Sequence, residues 1–311
     1  NSNNSTGSGN IIVVEADEFD KSFLSLNPTY STINNIELEH LDIYKDINDL
    51  KETFTTYANS TPFYGTVAVC NDCDYARQII KNINRNIITF GIDKKSNVNA
   101  VNIKFKDNIT AFEVMCNKRK FNLNLTVPGK HNIYNALSAI AICISIDIET
   151  KHIINGLQKF NGVKRRFEMK YYDKKNNIDF IDDYAHHPSE VKSTIKGMKT
   201  GWPSRRIISI FQPHLYSRTK TFYKEFAASL INSDINIISD IYPSREKPIK
   251  NVTSNLILEE LIKMGHKNSF LLSKGEIPEK INKIYNKDDM IITMGAGGIY
   301  KTLDEIYNNI I

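Results

Sequence analysis

The stretch FIDDYAHHPSEV, residues 180–191, sets two aspartates, a tyrosine and two adjacent histidines in one turn that Pro188 and Glu190 close. Like charges repel and polar groups resist leaving water, so a turn this dense is costly to fold unless it meets a ligand. Histidine, with an ordinary pKa near ~6.5, exchanges protons at neutral pH, and a neighbouring carboxylate holds a cation. Two further stretches share this chemistry, and a glycine-rich one stands with them. QPHLYSRTK at 212–220 carries His214, Tyr216, Arg218 and Lys220; DIYPSREKP at 240–248 carries Asp240, Tyr242, Arg245 and Glu246; GAGG occupies 295–298.

The elements between these stretches say how they are held. From about residue 167 the chain alternates strand and helix patterns: NIDFI with SEVKSTIKGM, RIISIF with TFYKEFAASLI, INIIS with NLILEELIKM, and DMIITM with GIYKTLDEIY. That rhythm predicts a doubly wound parallel sheet covered by helices. Each polar stretch directly follows one of the strands, so all four fall on the carboxyl rim where such sheets bind ligands. Taken singly, each is a solvated turn, with Ser189 and Asp183 as simple helix caps. Taken together they predict a cleft.

The first half is read the same way. NSNNSTGSGN is a polar loop with no Lys-Ser/Thr after its glycines, hence not a phosphate loop. IIVV reads as a buried strand, which puts Glu15 just past a strand end. TYSTI, GTVAV and NIITF supply further strands, and Ile47, Leu50, Phe54 and Tyr57 recur at helical spacing, as does DYARQIIKNI. Residues 101–127 turn to short alternating runs, an antiparallel appendage. GKHNIYNALSAIAICISI is apolar on nearly every face and predicts a buried helix, with His131 and Asn135 one turn apart and Asn132 as a candidate cap. On residue type alone His40 is a surface or core histidine, Glu37 and Glu39 are supporting or solvated groups, and Arg165 is a plain surface charge.

The totals narrow the classes. A chain of 311 residues with 41% hydrophobic and 24% charged residues suits two soluble domains, and Lys+Arg 40 against Asp+Glu 35 is too diffuse an excess for a nucleic-acid stripe. No apolar run reaches membrane-spanning length, and the chain opens on Asn1 with no leader pattern. Cys70, Cys73, Cys116 and Cys143 suit a reducing compartment; the C-x-x-C lacks a second metal-binding pair, which leaves plain buried or half-buried thiols. GAGGIY has no acidic residue about 20 positions on, against a nicotinamide cofactor.

In chain order, VVEADEFDKSFLSL, NNIELEHLDIY, VPGKHNIYNALSAIAI, GVKRRFE, DDYAHHPSEV, FQPHLYSRTK and DIYPSREKPI resemble the motifs of the Mur ligase family. The likeness spans nearly the whole chain, and DDYAHHP and FQPHLYSRT resemble the branch that joins L-alanine to UDP-N-acetylmuramic acid. The resemblance implies an α/β chain: a partial central ATP-binding domain over residues 1–166, then a Rossmann-like, amino-acid-binding C-terminal domain over 167–311. It implies amide ligation through an acyl phosphate in peptidoglycan synthesis, in a bacterial cytoplasm, with ATP and Mg2+. UDP-N-acetylmuramic acid and L-alanine would be the partners of a monomer or weak homodimer without nucleic acid or membrane insertion.

Carried over residue by residue, Glu15 and His40 would hold magnesium, and His131, Asn135 and Arg166 the nucleotide. Tyr184, His186, Arg218 and Arg245 would surround the amino acid. Catalysis would fall to His186 as base, Asp183 holding the amine, and Arg218 on the carboxylate or the intermediate. Family members begin with a UDP-sugar-binding domain and a Gly-rich loop ending in Lys-Thr, so the chain is expected to be a fragment, inactive alone. The rivals are another Mur ligase or a folylpolyglutamate-synthase-like enzyme, a metal-dependent phosphoesterase built on the Asp/His turn, and a non-catalytic nucleotide-binding fragment.

Overall fold

A computed structural model describes residues 7–38, 43–106, 109–116 and 119–310. Its strands are β1 (Tyr30–Ile33), β2 (Thr66–Cys70), β3 (Asn86–Gly91), β4 (Val98–Lys106), β5 (Ile109–Cys116), β6 (Arg119–Leu125), β7 (Glu168–Asp173), β8 (Ile178–Asp183), β9 (Ile207–Phe211), β10 (Ile235–Ile238), β11 (Ser269–Leu271) and β12 (Met290–Met294). The α-helices are α1 (Ile47–Ser60), α2 (Asp74–Ile79), α3 (Lys130–Ser145), α4 (Thr150–Gln158), α5 (Pro188–Gly201), α6 (Tyr216–Leu230), α7 (Asn255–Lys263), α8 (Ile277–Ile284) and α9 (Thr302–Ile310). Packing divides the chain into two units: Asn1–Ala100, Met115–Arg119 and Tyr134–Glu149 form one, and Val101–Val114, Lys120–Ile133 and Thr150–Ile311 the other.

The second unit holds a sheet of order β11-β10-β9-β12-β8-β7. Its strands run parallel except β7, which pairs antiparallel with β8 at the edge. IDFIDD, IISIF, INII and MIITM are buried along their whole length, as strands covered on both faces must be. On one face α5, α6 and α7 bring Val191, Ile195, Phe226, Leu230, Ile257 and Leu261 onto Ile181, Phe211 and Ile238. On the other, α8 and α9 bring Ile277, Ile281, Leu303 and Ile306 onto Phe180, Ile208 and Ile291. The chain therefore leaves β12 toward one helical layer while its neighbours β8 and β9 exit toward the other. Where adjacent exits diverge, a crevice opens at the carboxyl ends.

The doubly wound expectation is met, with three elements added to it. β11 has three residues, too few for a pattern; β7 carries the charged run EMKYYD on an open edge; and α8 shows its apolar spacing only at Ile277, Ile281 and Ile284.

In the first sheet the order is β1-β2-β3-β4-β5-β6, and β1, β2, β3 and the start of β4 pair in parallel. β4, β5 and β6 are neighbours separated by two residues each, the spacing of the expected appendage. Asp46 caps α1 by accepting from the backbone N–H of Asn48 and Asp49.

Two expectations fail here. IIVV is no buried strand: Ile11, Ile12, Val13 and Val14 are 63, 87, 93 and 59% exposed and pair with no described strand, so hydrophobicity without a ladder partner did not make a strand. Nor is α3 buried all round, because Ile133, Leu137, Ile140 and Ala141 face the interior while Asn135 and Ala139 are exposed. The cysteines are free thiols, Cys70 and Cys116 buried and Cys73 and Cys143 half-buried, as expected. Among the described residues no helix is long and apolar enough to cross a membrane.

Candidate active site

The end of β8 feeds the DDYAHH turn into α5, and the start of that helix fixes both histidines. His187 is the N-cap, and Glu190 completes a capping box, its Oε2 accepting from the backbone N–H of His186 at 2.9 Å and of His187 at 3.1 Å. The cap is therefore His187, not Ser189 or Asp183. His186 Nδ1 lies 3.0 Å from the carbonyl oxygen of Tyr184, which can only accept, so Nδ1 carries the hydrogen and Nε2 is left to take a proton. Burial lowers the pKa of His186; Arg218 and Arg166 lower it further, while Glu190 opposes them.

The loop after β9 is locked to the loop after β10. Leu215 N–H donates to Tyr242 O at 3.0 Å, Tyr242 N–H donates to Pro213 O at 2.8 Å, and His214 and Tyr242 form a parallel bridge with their rings stacked. Leu215 has φ 67°, a left-handed backbone that costs a branched residue energy and is held by these bonds. Glu246 adds a further tie from the second loop, accepting from Ser217 N–H at 3.0 Å and from its hydroxyl. The His214 ring stands perpendicular to that of His186, with centroids 5.6 Å apart.

Three polar atoms in this crevice are buried with no hydrogen-bond partner among the described residues: Arg218 Nη1, His214 Nδ1 and Gln212 Oε1. Buried polar groups are ordinarily paired, so three orphans at one strand end mark where a ligand supplies the partners. A fixed guanidinium takes a carboxylate or phosphate oxygen, and an amide oxygen takes an ammonium or hydroxyl.

The GAGG loop is shaped by close contact with its neighbours. A Cβ on Gly297 would lie 2.5 Å from Gln212 Oε1 and 2.8 Å from Tyr242 Cγ, and Gly295, at φ 147°, would meet Gln212 O at 2.8 Å. Gly297→Ala is accordingly expected to push Gln212 and Tyr242 apart and cost about 1–3 kcal/mol of stability, measured by denaturant unfolding.

His214 also makes stability depend on pH. Burial, His186 and Arg218 push its pKa down to about 4, so the unfolded chain binds its proton more readily than the folded one. The sign follows: the stability linked to neutral His214 is present above ~6.5 and is lost as pH falls toward 4, about 2 kcal/mol once solvent screening of a half-buried ring is allowed for. His214→Gln should flatten that slope in unfolding curves between those pH values.

Asp183 is 5% exposed and fully engaged: Oδ1 accepts from Ala185 N–H, and Oδ2 from Phe167 N–H and the Thr194 hydroxyl. Burial raises its pKa to about 6 against those hydrogen bonds. Its geometry is that of a brace for the turn. Tyr184 sits beneath both arginines, 4.8 Å from the guanidinium carbon of Arg165 and 5.6 Å from that of Arg166. Arg245 is exposed on the loop after β10 and close enough to His214 to lower its pKa.

Arg165 corrects the surface-charge expectation. It binds Asp182 Oδ2 at 3.0 Å and the carbonyls of Gly295 at 2.7 Å and Gly297 at 3.1 Å, and its guanidinium lies 4.5 Å from the Tyr300 ring. Asp182, 0% exposed, is the reason: a carboxylate so deep needs a cation. Arg166 keeps 53% of its side chain exposed and pairs with Glu190 Oε1 at 3.1 Å.

His131 Nδ1 lies 3.3 Å from the Ser193 hydroxyl on α5, while Asn135, a turn along α3, accepts from Asn34 at 3.2 Å. Asn132 donates to Pro128 O rather than capping the helix through its oxygen. Glu15 is exposed and follows no strand, and His40 lies outside the described residues. Among the described residues no group of three His, Cys, Asp or Glu side chains could hold a metal ion. Sequence reading missed Gln212 and Glu190 as parts of the site; both stood inside the quoted stretches, but only packing reveals a buried orphan or a shared carboxylate.

The two halves of the chain match two family models, the Mur ligase middle domain over residues 4–143 and the Mur ligase glutamate ligase domain over residues 165–297. It is 37% identical to a UDP-N-acetylmuramate–L-alanine ligase of Salinibacter ruber over 96% of this chain and 63% of that protein, and 40% identical to one of Chlorobium phaeobacteroides over 94% and 64%. The chain thus spans less than two thirds of the length of these relatives. Among solved structures, the UDP-N-acetylmuramate-alanine ligase of Thermotoga maritima matches with a TM-score of 0.76 at 25% identity, covering 93% of this chain and 61% of that one. MurF of Acinetobacter baumannii shares the fold at a TM-score of 0.73 and 15% identity, covering 91% and 60%. With both family domains matched in order and the sheet topology to go with them, the chain belongs to the Mur ligase family.

Proposed function

We propose that this chain supplies the amino-acid side of an ATP-dependent ligase that joins L-alanine to UDP-N-acetylmuramic acid, in the cytoplasmic stage of peptidoglycan synthesis. The observation that carries the reading is the buried, unpartnered Arg218 Nη1 beside the His186–His214 pair. A carboxylate is a poor electrophile, and ATP supplies its activation by phosphorylating it; the amine of alanine then displaces phosphate.

The protein's own groups meet the needs of that displacement. Arg218 binds the alanine carboxylate, which fixes the amine in the crevice. Attack requires a neutral amine, and Nε2 of His186 accepts the ammonium proton. Asp183, locked to Phe167, Ala185 and Thr194, keeps the turn in place rather than touching the amine. Arg166, half exposed, is assigned to the nucleotide phosphates, and by family resemblance His131 and Asn135 are assigned to the nucleotide as well. The forked, permanently charged guanidinium fits a polyphosphate. With no described metal-binding cluster, magnesium at Glu15 and His40 rests on family resemblance, and no step here runs through it. We set the boundary between the central and C-terminal domains at 166/167, next to the start of the second family match at residue 165.

Phosphate release from ATP by the protein that contains this chain, assayed with UDP-N-acetylmuramic acid and each amino acid in turn, tests the reading. Release that depends on L-alanine and yields the alanyl product is expected. Dependence on glutamate instead would assign another ligase, and phosphoester hydrolysis without any amine would overturn amide formation.

A further inference from the structure

Glu190 has two jobs that its place in a capping box does not explain. Oε2 accepts from the backbone N–H of His186 and His187 and lies 3.3 Å from His186 Nδ1, while Oε1 takes Arg166 Nη1 at 3.1 Å. One carboxylate thus stands between the arginine that the proposed reading gives to phosphate and the histidine it gives to the amine. Glu190 is more closed off than Arg166, 29% against 53% of the side chain being exposed, so the arginine is the partner free to leave. A guanidinium shared with a polyphosphate neutralises less of the carboxylate behind it.

We propose that Glu190 is a shared counter-ion and positioning residue: an anion bound at Arg166 withdraws that cation and turns the full carboxylate charge onto His186. The inference rests on the ligase reading for the identity of the anion, a nucleotide phosphate, and it deepens that reading by linking the nucleotide to the base. The consequence is order. His186 becomes a better proton acceptor only once phosphate is present, so the amine is deprotonated when there is an activated carboxylate to attack.

The groups facing His186 are Glu190 on α5, Arg218 on α6, Arg166 just before β7, and the His214 and Tyr184 rings. Of these, Glu190 raises the pKa of His186, and Arg218 and Arg166 lower it. Glu190 itself is held below the usual carboxylate range, despite burial, by His186 and Arg166, the same two partners.

The test is an NMR titration of the His186 ring in the full chain, with ADP as the probe, for the unaltered protein, Glu190→Gln, Arg166→Met and the double variant. Glutamine keeps an oxygen for the two backbone N–H groups, so the turn stays capped while the charge is lost. The expected results are a His186 pKa lower in Glu190→Gln and a rise of about half a pH unit or more on adding ADP that Glu190→Gln reduces to the smaller direct effect of screening Arg166. Arg166→Met, which leaves the capping box intact, should raise the His186 pKa by more in the presence of Glu190 than in its absence. An equal rise with and without Glu190, or an ADP shift undiminished in Glu190→Gln, overturns the shared counter-ion. If ADP perturbs no resonance near Arg166, the nucleotide assignment of that arginine fails, and the four-protein cycle still decides the role of Glu190.

Discussion

Replacing Arg218 by alanine raises the L-alanine concentration needed for half-maximal rate by about 10- to 100-fold, the loss of one charge-assisted hydrogen-bond pair in a partly desolvated crevice. Saturating alanine should recover much of the rate if the guanidinium serves binding, since an interaction made equally in ground and transition states moves KM and leaves kcat. Arg218→Lys recovers only part of the effect, because a single ammonium cannot reproduce the fork. Steady-state kinetics with alanine varied and the other substrates saturating measure both numbers. An unchanged alanine KM would remove Arg218 from the amino-acid site. It would also leave the buried orphan Nη1 without an account.

The second large effect is structural. Arg165→Ala leaves the Asp182 carboxylate, 0% exposed, with the Thr293 hydroxyl as its one side-chain partner among the described residues, and is expected to destabilise the unit by about 3–5 kcal/mol. The loss should shrink at low pH. Burial already raises the pKa of Asp182 while Arg165 and Thr293 hold it down; without the arginine the folded value climbs further, and a protonated Asp182 no longer needs a cation. Denaturant unfolding of both proteins at pH 5 and pH 8 gives the comparison. Asp182→Asn in the Arg165→Ala background should restore part of the stability at pH 8, where the uncompensated charge is the main cost.

The sequence announced the rim of the second sheet because strand and helix periods are local signals. NIDFI, RIISIF, INIIS and DMIITM each end where a polar stretch begins, and parallel topology then puts those ends together. What stayed hidden was partnership. Arg165 and Arg166 are adjacent identical residues, yet one is half-buried against Asp182 and the Gly295 carbonyl while the other reaches Glu190 more exposed. No one-dimensional pattern separates them, since the distinction is made by Asp182 and Thr293, residues far along the chain.

IIVV shows the opposite failure, a strong local pattern without its tertiary half. A strand needs a neighbour to satisfy its backbone, and among the described residues β1 pairs with β2 and no strand pairs with IIVV. The glycines of GAGG have a packing reason that no motif shows: the backbone of Gly295 closely approaches Gln212, and that of Gly297 approaches Gln212 and Tyr242. Gln212 in turn became visible as a site residue only through its unpaired, buried oxygen.

A crystal structure of the protein with L-alanine and a non-hydrolysable ATP analogue tests the central claim most directly. The account predicts density for alanine at the carboxyl ends of β9 and β12, its carboxylate within hydrogen-bond distance of Arg218 Nη1 and its amine facing the His186 and His214 rings. Alanine bound away from this crevice, with Arg218 Nη1 and His214 Nδ1 still unpartnered, would contradict it.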